Sequence, residues 1–225
     1  MSESRATILA TIRQQLGRGA ETGTALAEIH DRLQAGKANL IPQRGQLTGS
    51  ARLEMFVKMA HHVKATTALV THESELAGAI EAWVSARGLP KMLSVSHDIQ
   101  ALAAPLNAAG FTLTEAIPEP DGGVVLTGCF AGVAESGTLV VCCEKGHPHT
   151  LNILAQQHIV ILPIARLAAN YEESWGWLQA ERGMVLPRAL LWITGPSRTG
   201  DIEQTMQLGA HGPKALHIIL YGETS

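Results

Sequence analysis

Apolar residues recur along the chain with two different spacings, one typical of helices and one typical of buried strands. Helical spacing occurs at residues 4–16, 24–34, 52–63, 74–87, 98–109 and 166–182. Short apolar runs occur at residues 67–70, 91–95, 111–114, 123–127, 139–143, 158–162, 189–192 and 216–220. Strands that alternate with helices favour a parallel sheet covered by helices. We therefore predict an α/β fold, with a layered, mostly parallel sheet and flanking helices.

The first 50 residues differ from the remainder. They contain two of the predicted helices, and residues 36–50 then read as a loop or extended arm rich in glycine and polar residues. In the first helix, one apolar stripe is formed by Ile8, Leu9, Ile12 and Leu16. We predict an N-terminal helical arm over residues 1–50 and one α/β domain over residues 51–225. We expect the arm to pack on the domain or on a partner chain. If the partner is a second copy of this chain, the protein is a homo-oligomer.

The stretch that follows the strand predicted at 189–192 has the composition of an anion-binding loop. It offers a glycine, two hydroxyls, a guanidinium and a carboxylate, from Gly195, Ser197, Thr199, Arg198 and Asp201. A helix is predicted to begin here and to end at Gly209. Free backbone N–H groups at its start, together with the hydroxyls and Arg198, would converge on an anion such as a small carboxylate. Alternatively, the hydroxyls only cap the helix and Arg198 is a surface charge.

Further polar residues are candidates for acid–base chemistry. Asp201 either orients Arg198, acts as an acid or base, or complements the helix dipole. His211 lies in a Gly-Pro turn, where it is either a proton donor or a histidine bonded to the backbone.

Glu135 lies in a turn between two apolar strands and is a candidate base or nucleophile. Alternatively, Glu135 is a solvated turn carboxylate that accepts backbone N–H bonds. Ser136 and Thr138 offer hydroxyls to a ligand, although they equally suit turn chemistry.

Composition excludes several classes of protein. The net charge of −3 provides no basic surface, which argues against nucleic-acid binding. No apolar run is long enough to cross a bilayer, and residues 1–10 lack the pattern of a secretory signal, so we expect no membrane association and a cytoplasmic location. The 225 residues are enough for one sizeable core.

Neither a metal nor a cofactor is expected in this chain. The three cysteines, Cys129, Cys142 and Cys143, are odd in number, which argues against structural disulfides in a cytosolic protein. Together with His147 and His149, they do not match a common zinc spacing. Iron–sulfur motifs and the glycine-rich dinucleotide fingerprint are also absent from the sequence.

Two motifs carry a resemblance to a known family. Thr194-Gly-Pro-Ser-Arg-Thr-Gly-Asp-Ile-Glu203 is followed by Leu208-Gly-Ala-His-Gly-Pro-Lys214, and Ala134-Glu-Ser-Gly-Thr-Leu139 lies upstream. These segments resemble the lactate utilization protein C family, within the LUD-domain group. Gly200 and Ser136 depart from the family pattern, where alanine and threonine are expected. The resemblance implies a fold of the sugar-phosphate isomerase and CoA-transferase type.

The resemblance also implies a function. It suggests a component without a cluster in a system that oxidises L-lactate to pyruvate, with iron–sulfur proteins as partners and a small carboxylate as ligand. Two alternatives stay open. The chain is either a free-standing enzyme that uses Glu135 for acyl, CoA-transfer or phosphate-ester chemistry, or a module that binds a carboxylate without catalysis.

Overall fold

The computed structural model of the chain describes residues 2–17, 23–35, 40–118, 123–183, 185–200, 206–208 and 212–223. Contacts divide the chain into two compact units, residues 1–40 and 41–225. Residues 41–50, which the sequence pattern places in the arm, are thus grouped with the second unit. Among the described residues, no helix has both the length and the apolar character needed to cross a membrane.

The first unit contains the two helices predicted for the arm. They are α1 (Ser2–Gln15) and α2 (Gly23–Ala35). All four residues of the predicted apolar stripe, Ile8, Leu9, Ile12 and Leu16, are exposed. Within this unit, helix formation therefore follows from local spacing, and the apolar face of α1 stays accessible.

The second unit contains the α/β domain. Its helices are α3 (Gly49–His62), α4 (Leu76–Ala86), α5 (Gln100–Ala103), α6 (His149–Leu154) and α7 (Tyr171–Arg182). Its strands are β1 (Thr66–Val70), β2 (Met92–Val95), β3 (Thr112–Thr114), β4 (Val124–Gly128), β5 (Ala131–Val133), β6 (Thr138–Cys143), β7 (Gln157–Pro163), β8 (Leu167–Ala168), β9 (Ala189–Ile193), β10 (Arg198–Gly200), β11 (Met206–Leu208) and β12 (Ala215–Tyr221).

The main sheet has six strands in the order β1-β12-β7-β4-β2-β3, and all of its neighbouring strands are parallel. Its middle strand β7 is apolar from Ile159 to Leu162, as expected of a strand that is covered on both faces. Ile159 and Ile161 face one buried cluster together with α4, whereas Val160 and Leu162 face another together with α3. Burial of each such side chain contributes about 1.5–3 kcal/mol. The predicted α/β fold is confirmed.

A second sheet of four strands has the order β8-β5-β6-β9. Strand β6 pairs in antiparallel fashion with β5 and with β9, whereas β5 and β8 are parallel. The β5–β6 turn contains Gly137, whose φ is +66°, and a Cβ there would clash with the backbone N of Ala60 in α3. Glycine is needed at this turn because α3 packs directly against it.

Two predicted helices have different boundaries in the structure. Residues 98–109 form only short helical turns, with 3₁₀ segments on both sides of α5, and Pro105 in the second of these removes a backbone donor. The helix predicted from residue 166 begins at Tyr171 instead, since Asn170 caps it by accepting the backbone N–H of Glu173. Tertiary contacts and caps decide these ends.

We predicted a helix that begins after Arg198 and ends at Gly209. For residues 198–200 and 206–208, the part of this segment that the structure describes, the prediction is wrong. Strands β10 and β11 pair in antiparallel fashion, with Arg198 opposite Leu208 and Gly200 opposite Met206. Arg198 and Thr199 of the predicted anion site therefore lie in a strand and not at the start of a helix.

Candidate functional site

A surface cleft of about 500 Å³ lies beside the loop that follows β9. We call it the arginine cleft; its polar wall includes Asn152, Thr194, Gly195, Ser197 and Arg198, and its apolar wall includes Val63, Ile153 and Trp192. The cleft thus contains Gly195, Ser197 and Arg198 of the predicted anion site. It joins segments that are far apart in sequence, namely the end of α3, helix α6 and the loop after β9.

Arg198 is held at the end of α3. Its Nη2 donates a hydrogen bond to the carbonyl oxygen of Val63, the C-terminal cap residue of α3. A cation at this position is favoured by the helix dipole. The guanidinium has several other N–H donors in a planar arrangement that matches a carboxylate. Arg198 is half-buried, so it is both anchored to the fold and part of the cleft wall.

The other residues that were predicted to form the anion site occupy different positions in the structure. The backbone N–H of Ser197 donates to the carbonyl of Pro213 at 2.8 Å, so it is not free to bind an anion as expected. Thr199 lies in β10, opposite Gln207 of β11. Asp201 and His211 lie outside the described residues. Without a helix start, any anion selectivity of the cleft depends on side chains.

Asn152 is a cleft residue that the sequence did not single out. Only 2% of this residue is exposed, although it lines the arginine cleft. Its Oδ1 lies 3.3 Å from Nε2 of His147, while its Nδ2 has no hydrogen-bond partner. An unpaired buried amide group costs about 1–3 kcal/mol, so Asn152 is held in a polar place in the wall at a cost in stability.

His147 connects Asn152 to a carboxylate. Its Nδ1 lies 3.4 Å from Oδ1 of Asp98, so Asp98, His147 and Asn152 form a continuous polar line, which we call the Asp–His–Asn line. His147 and Asp98 also line a second cleft of about 310 Å³, next to the ends of β2 and β4. The line therefore runs from this second cleft to the arginine cleft.

Two glycines allow the Asp–His–Asn line to form. A Cβ on Gly128, the last residue of β4, would lie 2.5 Å from Oδ2 of Asp98. A Cβ on Gly146 would lie 2.9 Å from the Cβ of His97, whose N–H donates to the Gly146 carbonyl. The absence of side chains at both positions brings the two loops close enough for Asp98 to meet His147.

The charges around the line are well defined. Burial alone raises the pKa of the Asp98 carboxyl. Hydrogen bonds to His147 and Ser96, together with the attraction to His147, outweigh that effect and hold the pKa below its usual value. Burial lowers the pKa of the neighbouring His158 to about 3, and His158 Nε2 bonds to Thr127 Oγ1 at 2.9 Å. At neutral pH, Asp98 is therefore ionised and His158 is uncharged.

Thiol chemistry is not favoured in the second cleft. Cys129 and Cys142 both line it, and burial raises the pKa of each thiol, to about 11 for Cys142. Neither is a thiolate at neutral pH, which is the form needed for nucleophilic attack or metal binding. Among the described residues, no group of three or more His, Cys, Asp or Glu side chains is arranged to hold a metal ion.

Glu135 is buried at the start of α7. Its Oε1 accepts the backbone N–H of Tyr171 at 3.2 Å, and its Oε2 lies 3.9 Å from Nε of Arg44. A carboxylate at a helix N-terminus is stabilised by the free N–H groups and the dipole there. Through these contacts, Glu135 stabilises the start of α7. Its role as a base or nucleophile stays a prediction.

Thr138 belongs to a cluster of four hydroxyl groups. Its Oγ1 lies 2.8 Å from Ser136 Oγ, 2.9 Å from Tyr171 OH and 2.8 Å from Thr194 Oγ1. Thr138 is fully buried, and Thr194 connects the cluster to the arginine cleft. Thr138 therefore acts on the cleft wall through Thr194, and its predicted contact with a ligand stays a prediction.

Comparison with known proteins shows which family this chain resembles. Residues 121–221 match the family model of the LUD domain, which here extends from β4 to the end of β12. The chain carries a LUD domain. This confirms the resemblance inferred from residues 134–139 and 194–214. The LUD domain includes most of the arginine cleft, with Asn152 and Arg198, as well as His147 of the second cleft.

Curated relatives and one solved structure are similar to this chain. It is 34% identical to a lactate utilization protein C of Geobacillus thermodenitrificans and 33% identical to one of Geobacillus sp. strain WCH70, each over 91 residues. These matches span 39% of this chain and only 38% of either relative. The crystal structure of a DUF162 family protein from Deinococcus radiodurans shares the fold, with a TM-score of 0.60 and 23% identity. That likeness covers 78% of this chain and 99% of that one.

Proposed function

We propose that the chain serves lactate utilization and that its arginine cleft binds a small 2-hydroxy or 2-oxo carboxylate. The observation that carries this proposal is the guanidinium of Arg198, which is anchored by the carbonyl of Val63 and forms part of the wall of the cleft. A guanidinium has planar N–H donors that suit carboxylate oxygens. The names of the curated relatives, which refer to lactate utilization, support lactate as the ligand.

In this proposal the chain is a component without an iron–sulfur cluster in a cytoplasmic system that oxidises L-lactate to pyruvate. Its three cysteines lack the repeated spacing of cluster motifs, so the electrons would pass to iron–sulfur partner proteins. The chain itself would hold the carboxylate, or present it to those partners, without a cofactor of its own.

Carboxylate binding is tested by calorimetric titration of the purified chain with L-lactate and pyruvate. L-Lactamide, which has nearly the same shape but no charge, is the control ligand. Arg198→Ala should weaken lactate binding about 100-fold, because it removes a charge-assisted contact. Arg188→Ala, which removes an exposed arginine outside the cleft, should leave binding unchanged. Equal affinity for lactate in the wild type and Arg198→Ala would contradict the proposed site.

Membership of a complex is tested separately. A tagged chain is purified from lactate-grown cells, and co-purifying proteins are examined for iron and acid-labile sulfide. Iron–sulfur proteins should be recovered in stoichiometric amounts with the tagged chain and not with an unrelated tagged control. Recovery of the chain without any iron–sulfur protein would contradict this part of the proposal.

A further inference from the structure

We propose that Thr194 makes the arginine cleft selective for a 2-hydroxy carboxylate over the corresponding 2-oxo carboxylate, because it accepts a hydrogen bond from the hydroxyl group of the ligand. The inference rests on the proposed function, since it concerns the same cleft and narrows its ligand to one of two chemical classes. Ser136, Thr138 and Tyr171 act on the ligand only through Thr194 and are positioning residues.

The first step concerns the number of hydrogens in the hydroxyl cluster, which consists of Ser136, Thr138, Tyr171 and Thr194. Hydrogen bonds of 2.8–2.9 Å join these hydroxyl oxygens in four pairs. Each hydroxyl has one hydrogen to donate and two lone pairs that accept. The four hydrogens of the cluster are therefore all needed for the four hydrogen bonds within it.

The second step fixes the direction of each hydrogen bond. Ser136 Oγ donates to the phenol oxygen of Tyr171. The hydrogen between Ser136 and Thr138 must then come from Thr138, and the hydrogen between Tyr171 and Thr138 must come from Tyr171. Because Thr138 has no second hydrogen, Thr194 is the donor to Thr138. The opposite direction would leave the oxygens of Ser136 and Thr138 at 2.8 Å without a hydrogen between them.

The burial of Thr138 holds this arrangement in place. Thr138 is fully buried, and its oxygen makes three hydrogen bonds, one as the donor and two as the acceptor. Three is the full capacity of a hydroxyl group. If Thr194 turned its hydrogen toward the cleft, the buried oxygen of Thr138 would lose a partner, which is costly away from solvent. The hydrogen of Thr194 therefore stays within the cluster.

The third step concerns what Thr194 offers to a ligand. Of the four residues, Thr194 is the one that is exposed and lines the arginine cleft, whose wall also contains Arg198. Since its hydrogen is bound to Thr138, its side chain has only lone pairs left for a ligand. A 2-hydroxy carboxylate held by Arg198 has an O–H group that can donate to them, whereas a 2-oxo carboxylate has only an acceptor oxygen there. The oxidised form of the ligand is therefore held less tightly than the reduced form.

The experiment compares three ligands by calorimetric titration, namely L-lactate, pyruvate and (S)-2-methoxypropionate, the methyl ether of L-lactate, which lacks the hydroxyl hydrogen. The wild type should bind L-lactate about three- to tenfold more tightly than the other two, as expected of one hydrogen bond. Thr194→Val, which retains the shape but not the oxygen, should abolish this preference, and Thr194→Ser should retain it. Thr112→Val, which changes an exposed threonine of β3 outside the cleft, should behave as the wild type. The same preference in Thr194→Val as in the wild type would overturn the inference.

A second variant tests the hydrogen count without changing the wall of the cleft. Tyr171→Phe removes one hydroxyl but retains the ring, whose centroid lies 5.1 Å from that of Trp192. The three remaining hydroxyls have one hydrogen more than the two remaining hydrogen bonds require. Thr194 can then accept from Thr138 and donate to the ligand, so pyruvate should bind more tightly than in the wild type and the preference for L-lactate should decrease. A preference equal to that of the wild type would contradict the inferred direction of the hydrogen bonds and overturn the inference.

A third measurement needs no ligand and so separates this inference from the proposed function. Exchange of the Thr194 hydroxyl proton with water is followed by NMR. In the wild type this proton should exchange slowly and show an NOE to the side chain of Thr138, and Tyr171→Phe should accelerate the exchange. A proton that exchanges as fast as that of free threonine would overturn the inference even if lactate binds. Slow exchange in a chain that binds none of the three carboxylates would instead contradict only the proposed ligand.

Discussion

The carbonyl oxygen of Val63 lies 2.6 Å from the position that a Cβ on Gly195 would occupy. The same oxygen accepts the hydrogen bond from Arg198. Gly195 therefore has to be a glycine for two reasons, its φ of +82° and this close approach. The C-terminal end of α3 thus positions both the loop after β9 and the arginine of the cleft.

Gly195→Ala should lower the free energy of unfolding by more than the roughly 1–3 kcal/mol usual for a strained backbone, because the clash with Val63 adds to the strain. Gly110→Ala is the matched control, since Gly110 has a φ of +81° and nothing lies within 4 Å of the position that a Cβ would take there. Urea denaturation of both variants measures the difference. Equal losses in the two variants would show that the contact with Val63 is unimportant.

Acid should destabilise the fold through two buried histidines. Burial lowers the pKa of His158 to about 3 and, as the largest influence, that of His217 to about 4, both below the ordinary value of 6.5. The unfolded chain therefore takes up protons that the folded chain does not, and stability decreases as the pH falls from about 6.5 toward 3. Urea denaturation at several pH values should show this slope, and His158→Gln should reduce it. An unchanged slope in that variant would contradict the assignment.

Glu135 can be tested as a structural and as a catalytic residue at the same time. Glu135→Ala removes the acceptor for the Tyr171 N–H and should cost about 1–2 kcal/mol, as loss of a helix cap does. Glu135→Gln retains an acceptor oxygen, so its stability should be closer to that of the wild type. If the chain has acyl-transfer or phosphate-ester activity that depends on Glu135, then Glu135→Gln should abolish turnover without unfolding the chain.

The hydroxyl cluster should contribute to stability mainly through Thr138. Thr138→Val retains the shape but leaves Ser136, Tyr171 and Thr194 each without one partner, which should cost about 1–3 kcal/mol. Thr194→Val should cost less, because Thr194 is exposed and water can replace it. Thermal or urea denaturation of the two variants decides this, and a larger effect at Thr194 would contradict the central place of Thr138.

Elements whose pattern is local were predictable from the sequence. Residues 158–162 are apolar without interruption after His158, as expected of a strand covered on both faces, and they form the middle of β7. The ten-residue motif from Thr194 also led to the correct family. The helix after Arg198 was predicted from a glycine–proline break and two capping residues, but pairing with Met206–Leu208 made this segment a strand. Short segments of this kind satisfy either structure, so a distant partner decides between them.

The sequence by itself determined the alternation of strands and helices and the turn at Gly137. It was also sufficient to recognise the LUD domain. Each of these depends on residues that are neighbours in the sequence. Only the tertiary structure brought Asp98, His147 and Asn152 into one line and placed Asn152 in the same cleft as Arg198. No spacing along the chain encodes that relationship. It arises because the ends of β2 and β4, the loop before α6 and α6 itself meet at one edge of the parallel sheet, where Gly128 and Gly146 leave room for them.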